Sequence, residues 1–209
     1  MNHTQRLKRR HAPSVDCRPQ AQIHTYFKAH WHSPNHNARP QGMLIDTVVI
    51  HNITLPPGEL SPRYVRALFT NQLPADAHPY FKAVAGVRVS AHFYIARSGR
   101  VVQCVPLHRR AWHAGKSSMP SHLAHIPTRD NVNNFSIGIE LAGTDTLPYT
   151  RAQYEALARV LRRLGQAYPI ASVLGHCDIA PGRKTDPGAS FDWARAARAV
   201  PAAWGWQWR

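Results

Sequence analysis

The stretch Ile45-Asp46-Thr47-Val48-Val49-Ile50-His51 decides the fold. Its β-branched side chains are stiff at χ1 and suit a pleated surface, so it predicts a strand. Side chains alternate along a strand, which turns Thr47, Val49 and His51 to one face and Val48 and Ile50 to the other. His51 closes the strand at its carboxyl end, the edge where open α/β sheets gather their sites. A turn-rich loop from Asn52 to Leu60, with Pro56-Pro57-Gly58 inside it, follows. Ser61-Pro62 then starts a helix, with proline at the first helical position, where its missing N–H is harmless, and the helix runs to about Thr70.

Further along, Val89 to Ala96 alternates as a second strand, Arg97-Ser98-Gly99-Arg100 makes a turn, and Val101 to Val105 returns, which predicts a hairpin. Trp112-His113-Ala114-Gly115 opens a long polar loop reaching about Asn133; loops of that length usually border a binding site or move. Phe135 to Leu141 is a fourth strand, with Ser136, Gly138 and Glu140 on one face, so that a carboxylate borders space left open by small side chains. Thr150-Arg151-Ala152-Gln153 is a capping box, and Tyr154, Leu157, Ala158, Leu161, Leu164 and Tyr168 recur behind it at helical spacing, marking a packing helix without chemistry. Ser172 to Leu174 is a short strand, and Ser190 to about Val200 a closing helix. The predicted architecture is α/β, a single domain with a mixed central sheet of about five strands flanked by helices and the site at one edge.

The 209 residues have the size of one domain and can bury a substantial core. Composition separates a basic, partly extended arm over 1–42, in which Phe27 and Trp31 could dock on the body, from the domain over 43–200 and a Trp-rich tail over 201–209. No run of about 18 apolar residues spans a membrane. The basic start, with Arg6, Lys8, Arg9 and Arg10, lacks the apolar stretch of about 7 to 15 residues that a secretory signal needs, which places the protein in the cytoplasm. Cys17, Cys104 and Cys177 are odd in number and without Cys-x-x-Cys spacing, against both a disulfide framework and a thiolate metal site. The net charge of +15 could attract nucleic acid, but no nucleic-acid-binding motif accompanies it, and attraction of an anionic substrate is the preferred reading. Nothing in the sequence names a protein partner.

Gly175-His176-Cys177-Asp178-Ile179-Ala180-Pro181-Gly182-Arg183-Lys184-Thr185-Asp186-Pro187-Gly188 is dense in groups that bind metal or move protons. One imidazole and one carboxylate from it could fill two positions on Zn²⁺, and a second imidazole from elsewhere would leave a fourth for water. The same loop could be a surface turn with incidental polar residues. Four histidines compete, because His51, His92, His113 and His176 all sit at strand ends or in site-like loops.

Five segments occur in one order: Ile50-His51-Asn52 with Leu55-Pro56-Pro57-Gly58-Glu59, Arg88 to His92, Arg110 to Gly115, Asn134 to Leu141, and Gly175 to Gly188. Together they resemble the 1,6-anhydro-N-acetylmuramyl-L-alanine amidases, zinc amidases of bacterial peptidoglycan recycling, from about Ser33 to about Ala197. The resemblance implies an amidase fold like that of the peptidoglycan-recognition proteins. It selects His51, His176 and Asp186 as ligands of one zinc ion per chain, ahead of Asp178 and Cys177. His92 is left to the core or behind the ligands, while His113, beside Trp112, lines the substrate cleft. Glu140 becomes the general base and proton shuttle, Lys184 the oxyanion donor, and Tyr80 a donor near the metal. Asn52, Arg88, Ala111 and Trp112 are implied to hold the substrate. The family arginine expected at Asn131 is missing, and Arg129 could replace it by a small loop shift.

The implied reaction is hydrolysis of the amide between anhydro-N-acetylmuramic acid and L-alanine of the stem peptide, which also limits β-lactamase induction. The substrate partner is then a soluble anhydromuropeptide. An amidase of intact peptidoglycan, of phage or lytic type, and a non-catalytic peptidoglycan-binding module are the competing readings. The complete set of His51, His176, Asp186, Glu140 and Lys184 speaks against the second.

Overall fold

The computed structural model describes residues 29–123 and 129–209. The basic arm up to residue 28, with Phe27, lies outside them, as do residues 124–128 of the long loop. In chain order the strands are β1 (His36–Ala38), β2 (Thr47–Ile53), β3 (Phe93–Ile95), β4 (Val101–Gln103), β5 (Arg109–Ala111), β6 (Ser136–Ala142), β7 (Ser172–Gly175) and β8 (Gln207–Trp208). The helices are α1 (Pro62–Phe69), α2 (Phe81–Val84), α3 (Arg151–Ala167), α4 (His176–Ile179) and α5 (Trp193–Arg198).

Six strands form one mixed sheet in the order β4-β3-β6-β2-β7-β8, and β1 and β5 form a separate antiparallel pair. β2 lies inside the sheet, parallel to β6 and to β7. Strand alternation then sorts the two faces. Val48 and Ile50 of β2 join Ile137, Ile139 and Leu141 of β6 in a core with Leu157, Leu161 and Leu164 of α3. The opposite face carries His51 and Glu140.

α3 holds the reciprocal cap that its sequence encodes: Gln153 N–H donates to Thr150 Oγ1 at 3.0 Å and Thr150 N–H to Gln153 Oε1 at 3.1 Å. α1 begins at Ser61, whose Oγ accepts from Arg63 N–H at 3.3 Å. The β3–β4 hairpin forms as expected but with shorter ladders, turning through Gly99 at φ +79°, where Ala152 O would lie 2.6 Å from an added Cβ.

Four features differ from the sequence expectation. Residues 29–42 are more regular than a partly extended arm, since β1 pairs with β5, while Trp31 docks on the body as expected, packing on Tyr94 at 4.8 Å between ring centroids. The long loop after Trp112 is partly core, since Ala114, Met119, Leu123 and Val132 pack with Val49, Phe135, Leu174 and Ile179. The turn-rich stretch after β7 opens with the helical turn α4, where Asp178 Oδ2 accepts Gly175 N–H at 2.7 Å. Finally, the tail adds an unexpected strand, β8 beside β7, while its Trp204 and Trp206 cover α3 as a Trp-rich tail is expected to, so closely that Gly165 has no room for a Cβ. Among the described residues no helix is long and apolar enough to cross a membrane.

Candidate metal centre and active-site cleft

Three neighbouring strands deliver the site at their carboxyl ends. His51 on β2 stands opposite Glu140 on β6 in parallel register, so both side chains rise from the same face. β7 ends at Gly175, and the next residue, His176, opens α4. The chain then loops back, held by Cys177 N–H donating to Asp186 O at 3.0 Å, and returns the Asp186 carboxylate to the two imidazoles.

His51 Nδ1 lies 3.0 Å from His176 Nδ1 and 3.0 Å from Asp186 Oδ2, and His176 Nδ1 lies 3.1 Å from the same oxygen. His176 Nε2 faces the carbonyl of Ala114 at 3.1 Å, a pure acceptor, so Nε2 carries a ring proton and Nδ1 is the nitrogen turned to Asp186. Two acceptors at that distance need a positive charge between them, a proton or a metal cation. The donor set of two imidazole nitrogens and one carboxylate oxygen therefore fits a metal ion.

Burial tunes these groups. It pushes the His51 imidazole down to about 4; the Asp186 carboxylate 3.0 Å away opposes this in part, and His176 adds to it. Burial likewise pushes the Glu140 carboxyl well above the ordinary range, with Asp186 adding to the rise and Lys184 opposing it. Glu140 Oε2 is buried with no hydrogen-bond partner among the described residues.

A prediction follows for the metal-free protein. Unfolded His51 takes up a proton near pH 6.5 and folded His51 only near 4, so its contribution is present above about 6.5 and lost as pH falls to 4. That shift corresponds to about 3 kcal/mol, and His92 and His113, also pushed well below their ordinary value by burial, act in the same direction. Glu140, raised on folding, acts in the opposite sense, but one carboxyl does not offset three imidazoles. The urea midpoint should fall steeply from pH 6.5 to 4; a flat profile over that window would contradict neutral burial of these rings.

The ligand cluster floors a cleft of about 370 Å³, lined also by Asn52, Tyr80, Trp112, Glu140 and Lys184. The sequence profile of the N-acetylmuramoyl-L-alanine amidase family matches residues 41–189. The 1,6-anhydro-N-acetylmuramyl-L-alanine amidase AmpD of Escherichia coli K12 is 52% identical over 165 residues, 78% of this chain and 86% of that protein. The chain belongs to the N-acetylmuramoyl-L-alanine amidase family. A crystal structure of a selenomethionine AmpD derivative superposes with a TM-score of 0.78 at 50% identity, over 84% of this chain and 96% of that one. The Escherichia coli amidase AmiD, solved with the substrate anhydro-N-acetylmuramic acid-L-Ala-D-γ-Glu-L-Lys, superposes with a TM-score of 0.53 at 27% identity, over 77% of this chain and 60% of that one.

Within this amidase the other residues singled out in the sequence divide into those at the cleft and those away from it. Tyr80, 43% exposed, stands on the cleft wall, and Trp112 is fixed there by Nε1–H donating to Asn37 Oδ1 at 3.1 Å. Asn52 is oriented by Nδ2–H donating to Asp145 Oδ1 at 2.8 Å, a partner the sequence reading missed because it lies 93 residues away. Arg88 is exposed just before the lining residues Val89 and Ser90. His92 is fully buried with both nitrogens engaged: Nδ1 accepts Gly138 N–H at 3.0 Å and Nε2 faces Arg109 O at 3.1 Å. Asp178 caps α4 and pairs with Arg209 at 3.1 Å, which leaves the ligand position to Asp186.

Ala111 is wholly buried on β5, so a substrate contact there would be through its backbone, and its neighbour Trp112 lines the cleft. One expectation is corrected: Arg129 does not replace the missing cleft arginine. Its guanidinium pairs with Asp46 at 2.8 Å and covers the Phe135 ring at 3.7 Å, beside the amino end of β2 and so at the far end of that strand from His51.

Proposed function

We propose that this amidase is a zinc-dependent 1,6-anhydro-N-acetylmuramyl-L-alanine amidase of cytoplasmic peptidoglycan recycling, and that by consuming anhydromuropeptides it limits β-lactamase induction. The observation that carries the metal reading is the convergence of His51 Nδ1, His176 Nδ1 and Asp186 Oδ2 within 3.1 Å on the cleft floor, with Glu140 on the strand next to His51. Two imidazoles and one carboxylate suit a catalytic zinc, which keeps an open position. The substrate class rests on the relatives.

When bound, zinc would supply Lewis acidity, polarising the amide carbonyl and lowering the pKa of a coordinated water toward about 7. The Glu140 carboxylate takes a proton from the attacking water and returns it to the amide nitrogen as the carbon–nitrogen bond breaks, releasing the stem peptide with a free L-alanine amine. The Lys184 ammonium donates to the carbonyl oxygen as charge grows on it, with the Tyr80 hydroxyl as a second donor; both residues line the cleft. Asn52 and Trp112 bound the space in which the lactyl-peptide is oriented, with Arg88 outside them to meet a substrate carboxylate.

The test is mass spectrometry of products after incubation with anhydromuropeptide and, separately, with intact sacculi, each with and without a zinc chelator. Free stem peptide from the soluble substrate, abolished by chelation and absent from sacculi, is the expected result. Release from sacculi would move the protein to the lytic branch, and no release from either substrate would leave only a binding role.

A further inference from the structure

The space beside Glu140 that Ser136 and Gly138 leave open is filled by the imidazole of His113. A Cβ on Gly138 would lie 2.4 Å from His113 Cγ, so only glycine admits the ring there. The backbone on either side is pinned as well, since Asn133 Oδ1 accepts from the N–H groups of His113 and Ala114 at 3.1 and 2.9 Å.

The hydrogen bonds running through this ring have one consistent direction. Val132 O can only accept, and Ser136 Oγ lies 2.6 Å from it, so the single hydroxyl proton of Ser136 is spent there. Ser136 Oγ therefore offers lone pairs to His113 Nε2 at 3.1 Å, and Nε2 must carry the ring proton. Among the described residues no carboxylate pairs with this ring, which packs on His51 and His92 and meets the Ser136 hydroxyl, so nothing there holds a second ring proton. Its Nδ1 is then a lone pair, and it faces His51 Nε2 at 3.0 Å. His51 must donate across that contact, which leaves His51 Nδ1 as the lone pair directed at His176 and Asp186. Ser136, His113 and His51 are 0%, 8% and 1% exposed, so water is poorly placed to relax the chain.

We propose that His113 and Ser136 are positioning residues for the metal: the chain Val132 O–Ser136–His113–His51 fixes His51 in its Nε2–H tautomer and aims its Nδ1 at the ligand cluster. His113 serves His51 as the carbonyl of Ala114 serves His176, and both rings turn Nδ1 to the ligand cluster. This inference rests on the metal reading of His51, and its first test needs no metal.

Ring ¹⁵N shifts of the full-length metal-free protein should show His51 and His113 both as Nε2–H tautomers; a Nδ1–H His51 would overturn the proposal. In chelator competition, Ser136→Ala and His113→Leu should each bind zinc about 10- to 100-fold more weakly than the parent. His113→Asn, whose amide oxygen can stand where Nδ1 stood, should recover most of that loss, which a purely structural role would not give. Parental zinc affinity in folded Ser136→Ala would overturn the idea. That variant deletes one oxygen and carries the test if His113→Leu does not fold. Absence of zinc binding by the parent would instead sink the metal reading itself, while the tautomer measurement would still stand on its own.

Discussion

Glu140→Gln is expected to hold zinc as the parent does and to lose about 100- to 10,000-fold in kcat, with little change in KM. Glu140 is not one of the converging ligand atoms, so its loss leaves His51, His176 and Asp186 in place. The amide matches the carboxylate in shape but cannot accept a proton, so the substitution separates proton transfer from packing. Burial among Asp186 and the sheet raises the Glu140 carboxyl, and a base must be ionised to act. Parent activity should therefore fall with acid along a limb displaced upward from an ordinary carboxylate, and that limb should be missing from the residual activity of the variant. Near-parental turnover by Glu140→Gln would remove the base assignment, whatever its zinc content.

The same geometry explains what could be read in advance. β2 and β6 were legible because period-2 alternation sorts apolar from polar faces, and α3 because its capping box and apolar stripe are local signals. The choice among four histidines was not local. It depends on which ring nitrogens are already engaged: His92 has both occupied, by Gly138 and Arg109, while His176 keeps Nδ1 because Ala114 takes its other nitrogen. Those partners lie 17 to 62 residues away, so the motif resemblance, not the spacing, singled out the ligands. Arg129 misled for the same reason. Its nearness to Asn131 suggested a cleft role, but a partner 83 residues distant, Asp46, holds it elsewhere. β8 and α4 are too short to carry a periodic signal; β8 exists because β7 pairs with it, and α4 is closed by its own Asp178, which accepts Gly175 N–H.

His176→Ala should abolish zinc binding and turnover together. A ligand that binds only the folded state stabilises it by about 2.7 kcal/mol at 100 times its dissociation constant. For a chain of this size that raises the parental Tm by about 5 to 10 °C on adding zinc. The variant should show no such rise, because one imidazole and one carboxylate remain where three donors converged. Its metal-free Tm should also fall slightly, since the Ala114 carbonyl loses its Nε2–H partner inside the protein and one lost hydrogen bond costs about 0.5 to 1.5 kcal/mol. The carbonyl keeps a second donor in the Arg183 guanidinium at 2.9 Å, which places the loss at the lower end of that range and keeps the variant folded. A zinc-dependent Tm rise in His176→Ala equal to that of the parent would move the metal away from this triad, and with it the reason for Glu140 to stand where it does.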